Sequence, residues 1–248
     1  MGYKDTFLAV YHFTHIAPRK GKRSLAEFQR RADYFQKTWG KLIPRDTNAN
    51  IIDIGCGDGN LVWWLHQCGY AKAEGIDMSA DQIEAAQALG VPNVRQADLR
   101  AYLADKADSY DAITLRDVLE HFTKQEITET FPLYYKALRK NGRIIIQVPN
   151  AASPLFGRIR YGDFTHELAF CESSLQQLLR VMGFGDTKCH PTYAAPPIRG
   201  VKSLIRFISW KLVEAFYQFL IFGETGCRRS IVTESIIAVA VKDEGSAT

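Results

Sequence analysis

Three stretches of this chain carry residue types whose spacing points to chemistry. The first is Ile51 to Asn60, Ile-Ile-Asp-Ile-Gly-Cys-Gly-Asp-Gly-Asn, where glycine recurs at Gly55, Gly57 and Gly59. Glycine has no Cβ, so such a turn takes positive φ and lets a ligand press against bare backbone. The apolar run Leu61 to Leu65 behind it predicts a helix. Its unpaired N–H groups and positive dipole end suit a carboxylate or phosphate. The second stretch is a series of charged residues, Asp77, Asp98 and the pair Arg116-Asp117. The third is Tyr161-Gly-Asp-Phe-Thr-His-Glu167, which holds Asp163 and His166. An imidazole with an ordinary pKa of about 6.5 can carry protons at neutral pH.

The elements that must position these residues alternate. Ser24 with Glu27 three positions on, then Phe28, Ala32, Phe35 and Trp39, predicts a capped helix stopped by Gly40. Ile51 to Ile54 reads as a buried strand, and the helix after the glycine turn runs to about Gln67. Ala71 to Ile76 predicts a second strand ending in Asp77, and Ser79 caps the helix that follows. Val94 to Ala97 and Tyr110 to Leu115 are the third and fourth strands. Arg116 to Phe122 reads as a loop and helix start, and Thr123 to Lys140 as a helix. Asn141-Gly142 predicts a turn into the strand Arg143 to Val148. Strands alternating with helices at this spacing make an α/β, doubly wound, mainly parallel sheet. Ligands in such sheets sit at the carboxyl ends of the strands, where the glycine turn, Asp77, Asp98, Arg116 and Asp117 all fall. An acid ending the second strand can accept from both ribose hydroxyls; for Asp77 a capping or turn role is the alternative. The usual dinucleotide fingerprint would want glycine where Asn60 stands.

Composition bounds the rest. A chain of 248 residues suits one α/β domain with an added element. Net charge is +4, too small a bias to argue for nucleic acid, and no basic–aromatic tract supports it. The five cysteines show no CxxC spacing, so neither a disulfide framework nor a zinc knuckle is signalled. His12 and His15 would share a helix face, but no third ligand has a matching motif, so no metal site is expected. Residues 1–10 contain Lys4 and Asp5 and no apolar run of signal-peptide length, so a cytoplasmic protein is expected.

The run Asp-Ile-Gly-Cys-Gly-Asp-Gly from Asp53 resembles the first motif of class I S-adenosylmethionine-dependent methyltransferases. The similarity continues through Gly75-Ile-Asp-Met-Ser79, Gln96-Ala-Asp-Leu99 and Tyr110 to His121, and covers roughly Ile51 to Val148. The resemblance implies a seven-stranded Rossmann-like sheet whose last strand is antiparallel, with Phe184 to Thr192 and Ser235 to Lys242 as its final strands. It implies S-adenosylmethionine as cofactor. Gly55, Cys56 and Gly57 would approach its methionine part, and Asp53 would organise the turn. Asp77 would bind the ribose, Met78 would lie against the adenine, and Asp98 and Leu99 would meet the adenine edge. Arg116 and Asp117 would line the end near the methionine moiety. For Asp98 the alternative is a strand-end turn residue, while Glu120-His121, a common dipeptide of this subgroup, is either a structural helix start beside the site or part of the chemistry.

Methyl transfer to an alcohol needs in-line geometry and a base. His166 is the candidate base, and Asp163 would orient it or hold a sugar hydroxyl; alternatively His166 pins its loop. Arg158, Arg160 and Tyr161 are candidates for contacting an anionic or carbohydrate acceptor. The segment resembles methyltransferases of the quinone-biosynthesis and polysaccharide-cluster type, which implies O-methylation of a sugar hydroxyl in a surface or lipid-linked glycan. A quinone or other small molecule is the alternative acceptor, and a noncatalytic cofactor-binding partner protein the alternative class.

Three units are expected: an arm and helix over residues 1–49 covering the cofactor site, a catalytic domain at 50–195 and 231–242, and an insertion at 196–230. In the insertion, apolar residues from Val201 to Phe222 fall on one side of a helix. That face suits core packing, a homodimer contact, a cap on the acceptor pocket, or a peripheral contact with the inner face of a membrane.

Overall fold

A computed structural model of the protein describes residues 24–192, 200–227 and 229–243. The expected N-terminal arm, with His12 and His15, and residues 196–199 of the insertion lie outside the described residues. Seven strands make one sheet in the order β3-β2-β1-β4-β5-β7-β6. They are β1 Ile51–Ile54, β2 Glu74–Asp77, β3 Val94–Gln96, β4 Tyr110–Arg116, β5 Leu138–Pro149, β6 Lys188–Pro191 and β7 Ser235–Val241. The first five pair in parallel, while β7 runs antiparallel to both β5 and β6. The doubly wound sheet with a reversed last strand is therefore the fold the chain adopts.

Helices cover both faces, which is why the central strands are apolar on both sides. Ile51, Ile52, Ile54, Ile113, Leu115 and Ile144 to Ile146 are all buried. The helices are α1 Leu25–Thr38, α2 Asn60–Gln67, α3 Ala80–Ala88, α4 Leu99–Leu103, α5 Lys124–Ala137, α6 Phe156–Arg160, α7 Glu172–Val181 and α8 Val201–Thr225. Ser24 caps α1 by accepting from Glu27 N, as its sequence suggests. That helix buries Phe28 and Phe35, and Phe35 stacks on Trp64 of α2 with ring centroids 5.7 Å apart. A cap and an aromatic seam thus place α1 beside the glycine turn.

The structure departs from the sequence reading in several places. The helix expected to reach Lys140 stops at Ala137, and Leu138 already belongs to β5. Asn141-Gly142 is a bulge inside that strand rather than a turn before it: Tyr110 pairs Leu138 while Ala112 pairs Arg143. Asn141 takes a φ of 61°, and burial of Leu138 draws the strand start back toward the helix. β2 begins at Glu74 rather than Ala71. Short helices α4 and α6 form in segments to which the sequence reading assigns no element.

Strand order reverses between β1 and β4, whose carboxyl ends therefore open a crevice. Among the described residues no helix is long and apolar enough to cross a membrane.

Candidate active site

The glycine turn forms one wall of that crevice. Gly55, Gly57 and Gly59 have φ of 69°, 57° and 73°. At Gly55 space matters as much as angle, because a Cβ there would lie 2.5 Å from Val118 Cγ2. The N–H groups of Gly55 and Cys56 donate to Ile76 O at 2.8 and 3.0 Å, which ties the turn to β2. Gly57 N donates to Asp77 Oδ2 at 2.8 Å, and Ser79 N donates to Asp77 Oδ1 at 2.8 Å. Asp77 thus fastens two turns together. Each of its oxygens keeps lone-pair capacity for a ligand hydroxyl.

Asp53 lies fully buried in β1 rather than on the cavity wall. Its Oδ1 accepts from Thr114 Oγ1 at 2.7 Å, and its Oδ2 has no hydrogen-bond partner. Burial pushes its pKa up to about 6, against the pull of Arg116 and the Thr114 bond. Arg116 is half-buried and lines the site, with its guanidinium 5.5 Å from the Phe35 ring centroid. Burial works against that charge, but Asp117, Asp53 and Asp58 outweigh it. Asp117 takes a left-handed φ of 59° and accepts from Gln147 Nε2 at 3.0 and 3.3 Å. Gln147 Oε1 in turn accepts from Tyr34 OH of α1 at 3.3 Å.

Asp98 caps α4, its Oδ1 accepting from Arg100 N at 2.9 Å and Ala101 N at 3.0 Å. The cavity wall there is made by its neighbours Ala97 and Leu99. Met78, half exposed, completes this side.

The other wall comes from distant parts of the chain. The 3-10 turn Leu119–His121 packs against the loop after α6, where Glu167 N and Leu168 N both donate to Glu120 O. His121 and His166 meet edge to face with ring centroids 4.8 Å apart. His166 Nδ1 lies 3.1 Å from Ile159 O. A carbonyl can only accept, so Nδ1 carries the proton and Nε2 is left as an acceptor. His121 Nδ1 lies 2.8 Å from Thr165 Oγ1, whose own proton goes to Asp163 Oδ1 at 2.7 Å. His121 therefore also donates from Nδ1, and Asp163 anchors that relay. Burial pushes His121 down to about 4 and moves His166 below its ordinary value, so both rings are neutral at pH 7. Burial, with Asp117 next, raises Glu120 well above the carboxylate range.

One cavity of about 460 Å³ joins the two walls and is lined by Gly55 to Asp58, Asp77, Met78, Leu99, Arg116, Asp117, Glu120, His121, Asp163 and His166. Arg31 of α1 reaches it as well, so that helix contributes to the rim. Its lining carries six acids and two arginines, an imbalance that suits a cationic ligand. Among the described residues, no part of α8 lines it, so the pocket-cap role for the insertion is not seen. For His121 the sequence left a structural helix start and a chemical role both open. Nothing in its spacing from His166 announces that the two rings meet.

Fold and cavity together define the class: the Rossmann-like sheet of class I methyltransferases. The methyltransferase domain family matches residues 25–188, well over half of the chain, and the chain belongs to that family. It is 33% identical over 109 residues to a trans-aconitate 2-methyltransferase of Azoarcus sp., covering 43% of this chain and 42% of that one. It is 26% identical over 113 residues to a ubiquinone biosynthesis O-methyltransferase of Xanthomonas oryzae pv. oryzae, covering 44% and 46%. The chain thus spans less than half the length of these curated relatives. A solved S-adenosylmethionine-dependent methyltransferase from Archaeoglobus fulgidus superposes with a TM-score of 0.64 at 22% identity, covering 94% of this chain and 100% of that one. Phosphoethanolamine N-methyltransferase 2 of Haemonchus contortus, solved with S-adenosylmethionine, gives 0.62 at 16% identity, covering 98% and 60%.

Proposed function

We propose that the protein transfers a methyl group from S-adenosylmethionine to a hydroxyl of its acceptor. The carrying observation is the cavity itself: a backbone cradle at one end, a neutral, oriented imidazole at the other, and more acids than arginines in the lining between them. When bound, S-adenosylmethionine supplies an electrophilic methyl on a sulfonium. The acid-rich lining suits that cation and the ammonium of the methionine part. Gly55 to Gly57 and Asp117 hold the methionine end, Asp77 the ribose, and Met78 with Leu99 the adenine. Asp53 braces the turn from below through Thr114. His166 accepts the acceptor's proton at Nε2, while Ile159 O fixes the ring. Asp163 and Thr165 set His121 beside it.

The favoured acceptor is a sugar hydroxyl in a surface or lipid-linked glycan. Tyr161 and Phe164 are exposed in the segment that brings Asp163 and His166 to the cavity, and exposed aromatic rings suit the apolar face of a sugar. A quinone precursor is the competing acceptor. Mass spectrometry of the product formed with labelled cofactor, in a lipid-glycan extract and with quinone precursors, decides between them. Calorimetry with S-adenosylmethionine and NAD tests the cofactor. Cofactor binding with no transfer in either mixture would favour a noncatalytic partner protein.

One observation favours a second role for the same residues. The ligand-type atoms of Glu120, His121 and His166 lie within 4.8 Å of one another, and Glu120 Oε2 is buried without a hydrogen-bond partner. The sequence predicts no metal here, yet this is the donor set of a divalent cation, with each histidine's other nitrogen already fixed. Turnover lost on chelation and restored by Zn²⁺ or Fe²⁺, which imidazole ligands suit, would assign the cation; unchanged turnover keeps His166 as the base.

A further inference from the structure

Helix α8 is the one long element whose apolar side nothing covers among the described residues. Its 25 residues contain no buried side chain. Val201, Ile205, Ile208, Leu212, Phe216 and Phe219 recur at spacings of three and four, so they form one stripe along the whole helix. All six are exposed, from 49% at Ile208 to 75% at Val201. The half-covered residues, Ser203, Phe207, Trp210, Tyr217 and Ile221, fall on the opposite side. Gln218 fixes this rotation. Its amide donates to Ser230 O, and its Oε1 accepts from Ser230 N at 3.0 Å, which ties the helix to the segment leading into β7. The chain therefore turns its mixed face inward and its apolar face outward.

Charge is arranged around that stripe. Lys202 and Arg206 flank one edge over the first turns, with Glu224 on the same side near the other end, and Lys211 on the opposite edge pairs with Glu214, its Nζ 2.7 Å from Oε2. Long basic side chains at the edges of an apolar stripe can lay their stems along it and lift their charges to the level of anionic headgroups. The helix is about 37 Å long at 1.5 Å per residue. Length alone would let it span a bilayer, but its charges do not, and no described helix qualifies as a span. An apolar stripe with basic edges is built to lie in the interface plane.

We propose that α8 is an interfacial anchor that docks the protein on an anionic lipid bilayer. The stripe enters the boundary between headgroups and acyl chains, and Lys202 and Arg206 face lipid phosphates. The anchor stands apart from the cavity and from the methyl-transfer reading, so it holds or fails independently of them.

The full chain should float with vesicles containing phosphatidylglycerol and float less with vesicles of phosphatidylcholine alone. The double substitution Phe216→Glu and Phe219→Glu should abolish flotation while leaving S-adenosylmethionine affinity within about two-fold by calorimetry. Lys202→Gln with Arg206→Gln should weaken binding to the anionic vesicles by roughly thirty-fold, at about 1 kcal/mol per base near the surface. High salt should reverse much of the binding. Two results would overturn the proposal. One is no flotation of the wild-type chain on either vesicle. The other is a dimer in analytical ultracentrifugation that the Phe216→Glu, Phe219→Glu chain loses, with no lipid-dependent flotation, which would assign the stripe to a second copy.

Discussion

The two walls of the cavity are built by different means. The cofactor wall is mostly backbone: a glycine turn between β1 and α2, stitched to β2 by N–H groups and by Asp77. The acceptor wall is side chains, two imidazoles held by a carbonyl and by the Thr165–Asp163 relay. Backbone geometry is fixed by chain connectivity and tolerates little change. A side-chain constellation can be rebuilt residue by residue while the sheet stays as it is. One wall is therefore suited to a constant ligand and the other to a varied one.

Substitutions on each wall should separate these roles. The largest effect is expected for His166→Ala, with kcat falling by roughly 10²- to 10⁴-fold and cofactor affinity nearly unchanged. Single-turnover kinetics beside calorimetry would show the split, and retained turnover would remove His166 from the chemistry. Gly55→Val attacks the other wall. A branched side chain at positive φ and 2.5 Å from Val118 should cost about 2–4 kcal/mol of stability and most of the cofactor affinity. Thermal unfolding and titration would measure both losses. Thr165→Val should reduce kcat about ten-fold and destabilise by about 1–3 kcal/mol, because it removes the hydroxyl that links His121 Nδ1 to Asp163 Oδ1.

A subtler test uses pH. Burial lowers His166, so its neutral form persists below the ordinary histidine value and is lost as pH falls further. The acid limb of kcat/KM should have its midpoint below about 6.5, and a midpoint at or above that value would point to a different group. The smallest effect belongs to Asp98→Ala. Loss of the α4 cap should cost about 1 kcal/mol in urea unfolding. A cofactor dissociation constant changed less than about three-fold would leave Asp98 as a cap. A ten-fold rise, near 1.4 kcal/mol, would restore the adenine role.

The same contrast explains what could be read from residues alone. The glycine spacing, Asp77 and the strand ends were legible because local backbone demands dictate residue type. The alternation of elements was legible too, since hydrophobic periodicity marks each one. The acceptor wall was only half visible: His121 and Thr165 are 44 residues apart, and no local pattern signals their hydrogen bond. Asp98 showed the opposite problem, since an acid after a strand suits a ligand and a helix cap equally well. At Asn141-Gly142 a strong turn dipeptide was overridden by burial of Leu138 and became a bulge.

The exit and return points of the α8 excursion also meet. Thr192 N donates to Thr233 Oγ1 at 3.3 Å, and Thr192 Oγ1 donates to Ser235 O at 3.0 Å, where neighbouring strands β6 and β7 face each other. The excursion thus leaves and rejoins the sheet through a closed socket at one edge, with β1, β2 and β4 on the far side of β5. A short hairpin loop could bridge that socket without changing any strand order. Among the described residues, the α8 excursion and the cavity are consequently joined through the sheet, at opposite sides of β5.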